Sequence, residues 1–142
     1  MRLWHKDLIA VLPNNQLRGQ WRECCLIAKG LHDNNLNHIL VNKVKRYPLT
    51  HLAIYGFMVY DEMRRRGYSA NLKTFTRYMP EWFDLDDVPF EDGEISTENL
   101  FSGWHNDRYL RQCYYNLQEK YDCGGIPEHE WRRLEANIDN GF

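Results

Sequence analysis

The sequence predicts an all-α protein, on three observations. Apolar side chains recur at helical spacing from Leu17 through Trp21, Cys24 and Ala28 to Leu31, and again through Leu49, Leu52, Ala53, Gly56, Phe57, Tyr60 and Met63. Valine, isoleucine and threonine never alternate over a strand's length. The breaks between the periodic stretches are helix-ending signals: Asp33-Asn34-Asn35, Tyr47-Pro48, Gly67 and Gly124-Gly125. With 142 residues, 43% of them hydrophobic and 14% aromatic, the chain has enough apolar material for one core. A single compact domain spanning 1–142 is expected, with about four to five helices around a central one.

The elements follow in order. Pro13-Asn14-Asn15 carries turn and N-cap residues, so the first long helix is expected from about 14 to 30. On its wheel the core stripe centres on Trp21 and Cys24, while Arg18, Gly19, Arg22 and Glu23 fall together on the far flank. Adjacent Cys24 and Cys25 point about 100° apart, so one of them faces the core squarely. A shorter helix is expected from about 37 to 45, ending before Tyr47-Pro48 because the residue before proline is pushed out of helical geometry. Pro48 suits the start of the central helix, about 48–66, which Arg64-Arg65-Arg66 and Gly67 close as a cationic last turn with a C-cap glycine. Residues 68–80 read as a loop with one short helical turn, and 81–98 as an irregular acidic segment. A last major helix is expected from about 100 or 104 to 121, and a terminal one near 128–138.

Charge is uneven along the chain. The net value is −2, yet residues 1–80 hold 13 Lys/Arg against 5 Asp/Glu, and 81–103 hold eight carboxylates and no cation. A basic N-terminal half is compatible with a phosphate-bearing partner. The four cysteines lack C-x-x-C spacing and the six histidines lack metal-ligand spacing, so buried free thiols and neither metal nor cofactor are expected. No apolar run reaches the roughly 20 residues of a membrane span. Leu8–Leu12 behind a charged Arg2–Asp7 stretch is too short for a signal peptide, so an intracellular, cytoplasmic protein with its native start is expected.

A free N-terminus beside arginines and a carboxylate suggests amine chemistry. An α-amino group has a reference pKa of about 7.7–8.0, against about 10.4 for lysine, so near neutral pH a usable share is an uncharged nucleophile. The Met1-Arg2 opening, the block Gln20-Trp21-Arg22-Glu23, Asn37-His38, and the helix end from Tyr60 to Tyr68 together resemble the pyrimidine-dimer DNA glycosylase family, over most of the chain. The resemblance implies a DNA repair glycosylase with abasic-site lyase activity, in which the N-terminal amine attacks C1′ of the damaged nucleotide and leaves a Schiff base. It implies Met1 as nucleophile through its α-amine, Glu23 as acid/base and electrostatic partner, and Arg22 beside it on phosphate. Arg2, Arg18, His38 and Lys120 are the implied DNA contacts, and a damaged duplex with a displaced nucleotide is the implied partner of a monomeric enzyme associated with the nucleoid. Leu26 and Asn116 stand where the family prototype carries arginine, and Tyr114, Tyr115 and Tyr121 are candidate stacking surfaces for bases. Two other readings of the same residues stay open: a non-catalytic helical nucleic-acid-binding module, and an interaction protein whose basic half docks an acidic partner.

Overall fold

A computed structural model describes residues 2–35, 37–81 and 97–138. Met1 and most of the expected acidic segment, 82–96, lie outside the described residues. A 3₁₀ helix, Lys6–Val11, is followed by α1 (Asn14–His32), α2 (Ile39–Lys45), α3 (Leu49–Arg65), α4 (Lys73–Thr76), α5 (Asp107–Asp122) and α6 (Glu128–Ile138), with no strand among the described residues. The all-α expectation therefore holds. Two short elements, the 3₁₀ helix and α4, raise the count above the four to five expected, because six or four residues are too few to show a period. No described helix is long and apolar enough to cross a membrane.

Helix starts moved where side chains cap them. His38 stays extended and its Nδ1 accepts from the Leu40 N–H at 3.2 Å, so α2 opens at Ile39 rather than 37. The last major helix opens at Asp107, not at 100 or 104, because the Asn106 side chain accepts from the Tyr109 N–H at 2.9 Å and the preceding turns place Phe101 and Gly103 at positive φ. For α1 the capping residue is Pro13, which offers no side-chain bond; a carboxylate from α6, Glu130, accepts from the Asn14 N–H instead. That puts negative charge at the positive end of α1.

The central helix is α3, with His51 to Gly56, Val59, Glu62 and Met63 buried. Gly56 permits its contact with α4: a Cβ there would lie 2.3 Å from Phe75 Cζ. At its end Gly67 adopts φ 86°, and the paired bonds from Tyr68 N to Met63 O and Gly67 N to Arg64 O complete a Schellman turn. Arg66 does more than complement its own helix terminus. It donates to buried Glu62 at 2.8 Å and to the carbonyls of Leu12 at 2.6 Å and Ala10 at 3.2 Å, tying the end of α3 to the end of the 3₁₀ helix.

An aromatic and histidine cluster joins the N-terminal segment to residues 97–109. Phe101, Trp104 and His105 pack against Tyr47, His51 and Tyr55, with ring centroids 5.2–6.3 Å apart. The buried histidines accept backbone bonds: His51 Nδ1 from Phe101 N and His105 Nδ1 from Lys6 N, both at 3.0 Å. Tyr114 and Tyr121, candidates for base stacking, instead stack on Trp131 of α6 at 5.4 and 5.0 Å, leaving Tyr115 as the exposed member of the three.

Candidate active site

The buried stripe of α1 comprises Leu17, Gln20, Trp21, Cys24, Ile27 and Ala28. One member is polar. Gln20 is only 1% exposed, so its amide must find partners inside the protein. Its Nε2 donates to the Arg2 carbonyl at 2.9 Å and to Glu23 Oε2 at 3.3 Å, and its Oε1 accepts from the Trp4 N–H at 2.7 Å. The Tyr55 hydroxyl, from α3, lies 2.8 Å from the same Oε1 and 2.6 Å from the Trp4 carbonyl, with one proton to divide between them. From α5, Tyr109 donates its hydroxyl to the Leu3 carbonyl at 2.6 Å. Three helices thus hold the backbone of residues 2–4 through side chains.

Glu23 sits one turn beyond Gly19 and Gln20, half-buried. Its Oε2 accepts from the Arg2 N–H at 3.0 Å as well as from Gln20, while Oε1 has no partner among the described residues. The Arg2 guanidinium turns the other way, over the Trp4 ring at 5.3 Å and with Nη1 4.0 Å from Cys113 Sγ. Burial pushes the Cys24 and Tyr55 protons to well above their ordinary pKa range, and also raises those of Tyr109 and Cys113, the last against the pull of Arg2. These groups stay neutral near pH 7. The acidic and basic side chains beside the backbone of residues 2–4, among the described residues, are Glu23 and Arg2.

Arg22 is exposed. The nearest atom to a Cβ built on Gly19 would be Arg22 Nη2, at 3.7 Å, so among the described residues no other element occupies the space over that glycine. Arg18 shares the flank, bonded to Asn15 at 3.0 Å and lying over the Tyr68 ring at 5.6 Å. His38 and Lys120 are not brought into contact with this group: His38 caps α2, and Lys120 lies two turns past Cys113, about 10 Å along α5. Leu26 is 54% exposed one turn beyond Arg22. Among the described residues no three His, Cys, Asp or Glu side chains converge to hold a metal ion.

Sequence reasoning missed Gln20, Tyr55 and Tyr109 as site residues. Gln20 left a readable trace, a polar residue at i+3 from Leu17 in an otherwise apolar stripe. The two tyrosines left none, since aromatic residues on a helix stripe read as core. A cleft of about 590 Å³ between α1, α2 and residues 77–81 is lined by Leu31, Val44, Tyr47 and Met79, on a face away from Glu23.

Residues 1–76, just over half of the chain, match a family model described as pyrimidine dimer DNA glycosylase. No curated protein and no solved structure matches the chain.

Proposed function

Because the chain belongs to the pyrimidine dimer DNA glycosylase family, whose substrate is DNA, we propose that it removes a damaged base through a covalent intermediate on its N-terminal amine and then cuts the abasic strand. The Met1 amine attacks C1′, the bond from C1′ to the base breaks, and the base leaves with the electron pair and a proton. Opening of the sugar ring gives a Schiff base between the amine nitrogen and C1′. Loss of a C2′ proton then expels the 3′ phosphate by β-elimination. Splitting one hard displacement into two easier steps is the general advantage of a covalent amine intermediate, and the amine must be neutral to attack. The positive charges of Arg2 and Arg22 favour that neutral form.

The observation that carries this reading is the bond from the Arg2 N–H to Glu23 Oε2. The bonded nitrogen is three covalent bonds, about 4.3 Å of chain, from the proposed nucleophile. Glu23 Oε1 is left to face the sugar, where a carboxylate stabilises the developing positive charge at C1′ and takes or returns the ring-opening proton. The residues in named roles are Met1 as nucleophile, Glu23 as acid/base, and Arg22, Arg2 and Arg18 on phosphates, with no metal required. Damage is reached by displacing a nucleotide, which costs a few kcal/mol and is easiest at a damaged pair.

Borohydride reduction in the presence of abasic-site DNA tests the reading. A covalent protein–DNA adduct mapped by mass spectrometry to the N-terminal residue is the expected result. An unmodified N-terminus that yields no adduct would sink the lyase step, and salt-dependent DNA binding indifferent to N-terminal acetylation would favour a non-catalytic binding module.

A further inference from the structure

The outer face of α1 continues past Glu23 into a groove of about 440 Å³ against α4 and Arg77-Tyr78. Arg22 stands at its end nearest the candidate active site, and Lys29 stands seven residues on, about 10 Å along the helix. Arg77 lines the same groove, and no carboxylate among the described residues does. Neither Arg22 nor Lys29 has a hydrogen-bond or ion-pair partner among the described residues. Arg77 is held over the Tyr78 ring at 4.9 Å, its Nη2 2.9 Å from the Tyr78 hydroxyl. The floor is stitched together by Cys25 Sγ and Thr74 Oγ1 at 3.5 Å, so the groove joins two packed elements.

Cations are ordinarily solvated on a helix face, but three converging on one concave strip with no carboxylate among the described lining residues form an anion track. Apart from Thr74 the rest of the lining offers mainly apolar surface, from Leu26, Trp21 and the Tyr78 ring. A free inorganic anion would use one cation and leave that surface bare. A nucleic-acid strand uses both, setting phosphates against the cations and sugar or base faces against the apolar side chains. At about 3.4 Å of rise per nucleotide on one strand, the distance from Arg22 to Lys29 matches about three nucleotides. We propose that this groove is a second DNA contact of the protein, taking the sugar-phosphate strand that leads away from the reacting nucleotide, with Lys29 and Arg77 on its phosphates. The inference rests on the reading of the chain as a DNA-cutting enzyme, and it adds contact residues that the chemistry itself does not need.

Lys29→Ala combined with Arg77→Gln tests it, with the double variant Arg132→Gln and Arg133→Gln on α6 as a charge-matched control and thermal melts verifying the fold. On abasic duplex with long flanks the double variant is expected to bind about tenfold more weakly than wild type, with a salt slope smaller by about 2, while the rate at saturating DNA stays unchanged. On a duplex trimmed to end before the groove, wild type and double variant should bind alike. Wild-type affinity and salt slope in the folded double variant on the long duplex would overturn the groove while leaving the chemistry standing. Wild-type protein that binds DNA through Lys29 and Arg77 but gives no borohydride adduct would overturn the chemistry and keep the groove. No binding by wild type at moderate salt would overturn both.

Discussion

Glu23 Oε2 accepts the backbone N–H of Arg2 at 3.0 Å, across 21 residues of sequence. This bond joins α1 to residue 2, and one carboxylate oxygen is committed to position while the other has no partner among the described residues. Replacing Glu23 by Gln keeps the shape and a hydrogen-bonding end group but removes the charge and the proton-accepting oxygen. Turnover on abasic-site DNA is expected to fall by about 10²–10⁴ with binding within a few fold of wild type, measured as single-turnover rates and Kd by fluorescence anisotropy. Retention of full rate would remove Glu23 from the chemistry.

Gln20 is expected to be more sensitive than its distance from solvent suggests. Gln20→Ala strands the Trp4 N–H and the Arg2 carbonyl in a buried setting and opens a cavity, for an expected loss of about 2–4 kcal/mol in urea unfolding. Gln20→Glu keeps the volume and the acceptor for Trp4, but sets a second oxygen against Glu23 and the Arg2 carbonyl. In that variant the acid limb of the pH–rate profile should shift to higher pH, because like charge favours protonated Glu23. A purely structural Gln20 would lower the melting temperature and leave that limb in place.

Two glycines on helices should respond in opposite ways to alanine. At Gly56 the new methyl would meet Phe75 at 2.3 Å, so Gly56→Ala is expected to destabilise by about 1–3 kcal/mol despite better helix propensity. At Gly19 the nearest contact is an ordinary 3.7 Å, so Gly19→Ala should stabilise by up to about 1 kcal/mol. If substrate approaches over that face, the same change raises KM for DNA; calorimetry and steady-state kinetics on one preparation separate the two effects.

Acid should unfold the protein earlier than its carboxylates alone would dictate. Burial holds the His105 pKa down at about 2, from an ordinary 6.5, and burial also lowers His5 and His51. Above about pH 6.5 these rings are neutral in both folded and unfolded chains, and their contribution to stability is complete. As pH falls below that, the unfolded chain binds protons that the folded chain refuses, and stability declines by up to about 1.4 kcal/mol per pH unit for each such ring. Urea melts at pH 7.5 and 5.5 should show the loss, and His105→Asn, which can still accept from Lys6, should flatten it. Equal stability at the two pH values would contradict this account.

The periodic helices were legible because their stripes are long: Leu17 to Leu31 and Leu49 to Met63 each span several turns, and their ends fell within a few residues of expectation. Residues 6–11 and 73–76 were not, since a single turn has no period to detect. The flank carrying Arg18, Arg22 and Glu23 was readable from the wheel, because charged side chains leave the core. What holds the N-terminal segment was not, because Tyr55 and Tyr109 act through hydroxyls whose partners are backbone carbonyls, and backbone atoms carry no sequence signal. The role of Arg66 was hidden for the same reason: its acceptors are the carbonyls of Leu12 and Ala10.

The bond from Tyr109 to Leu3 spans 106 residues, and it has a consequence for synthesis. Residues 2–4 are made well before α5, yet the last of the three helices that hold their backbone is in place only after α5 has been made and has docked. During most of translation residues 2–4 lack that anchor, and the groups meant to act on DNA are not yet in register. Completion of the site is thus a late event in the life of the nascent chain, and a product cut short before Tyr109 would carry the α1 arginines, Glu23 and the holds from Gln20 and Tyr55 without the anchor on Leu3.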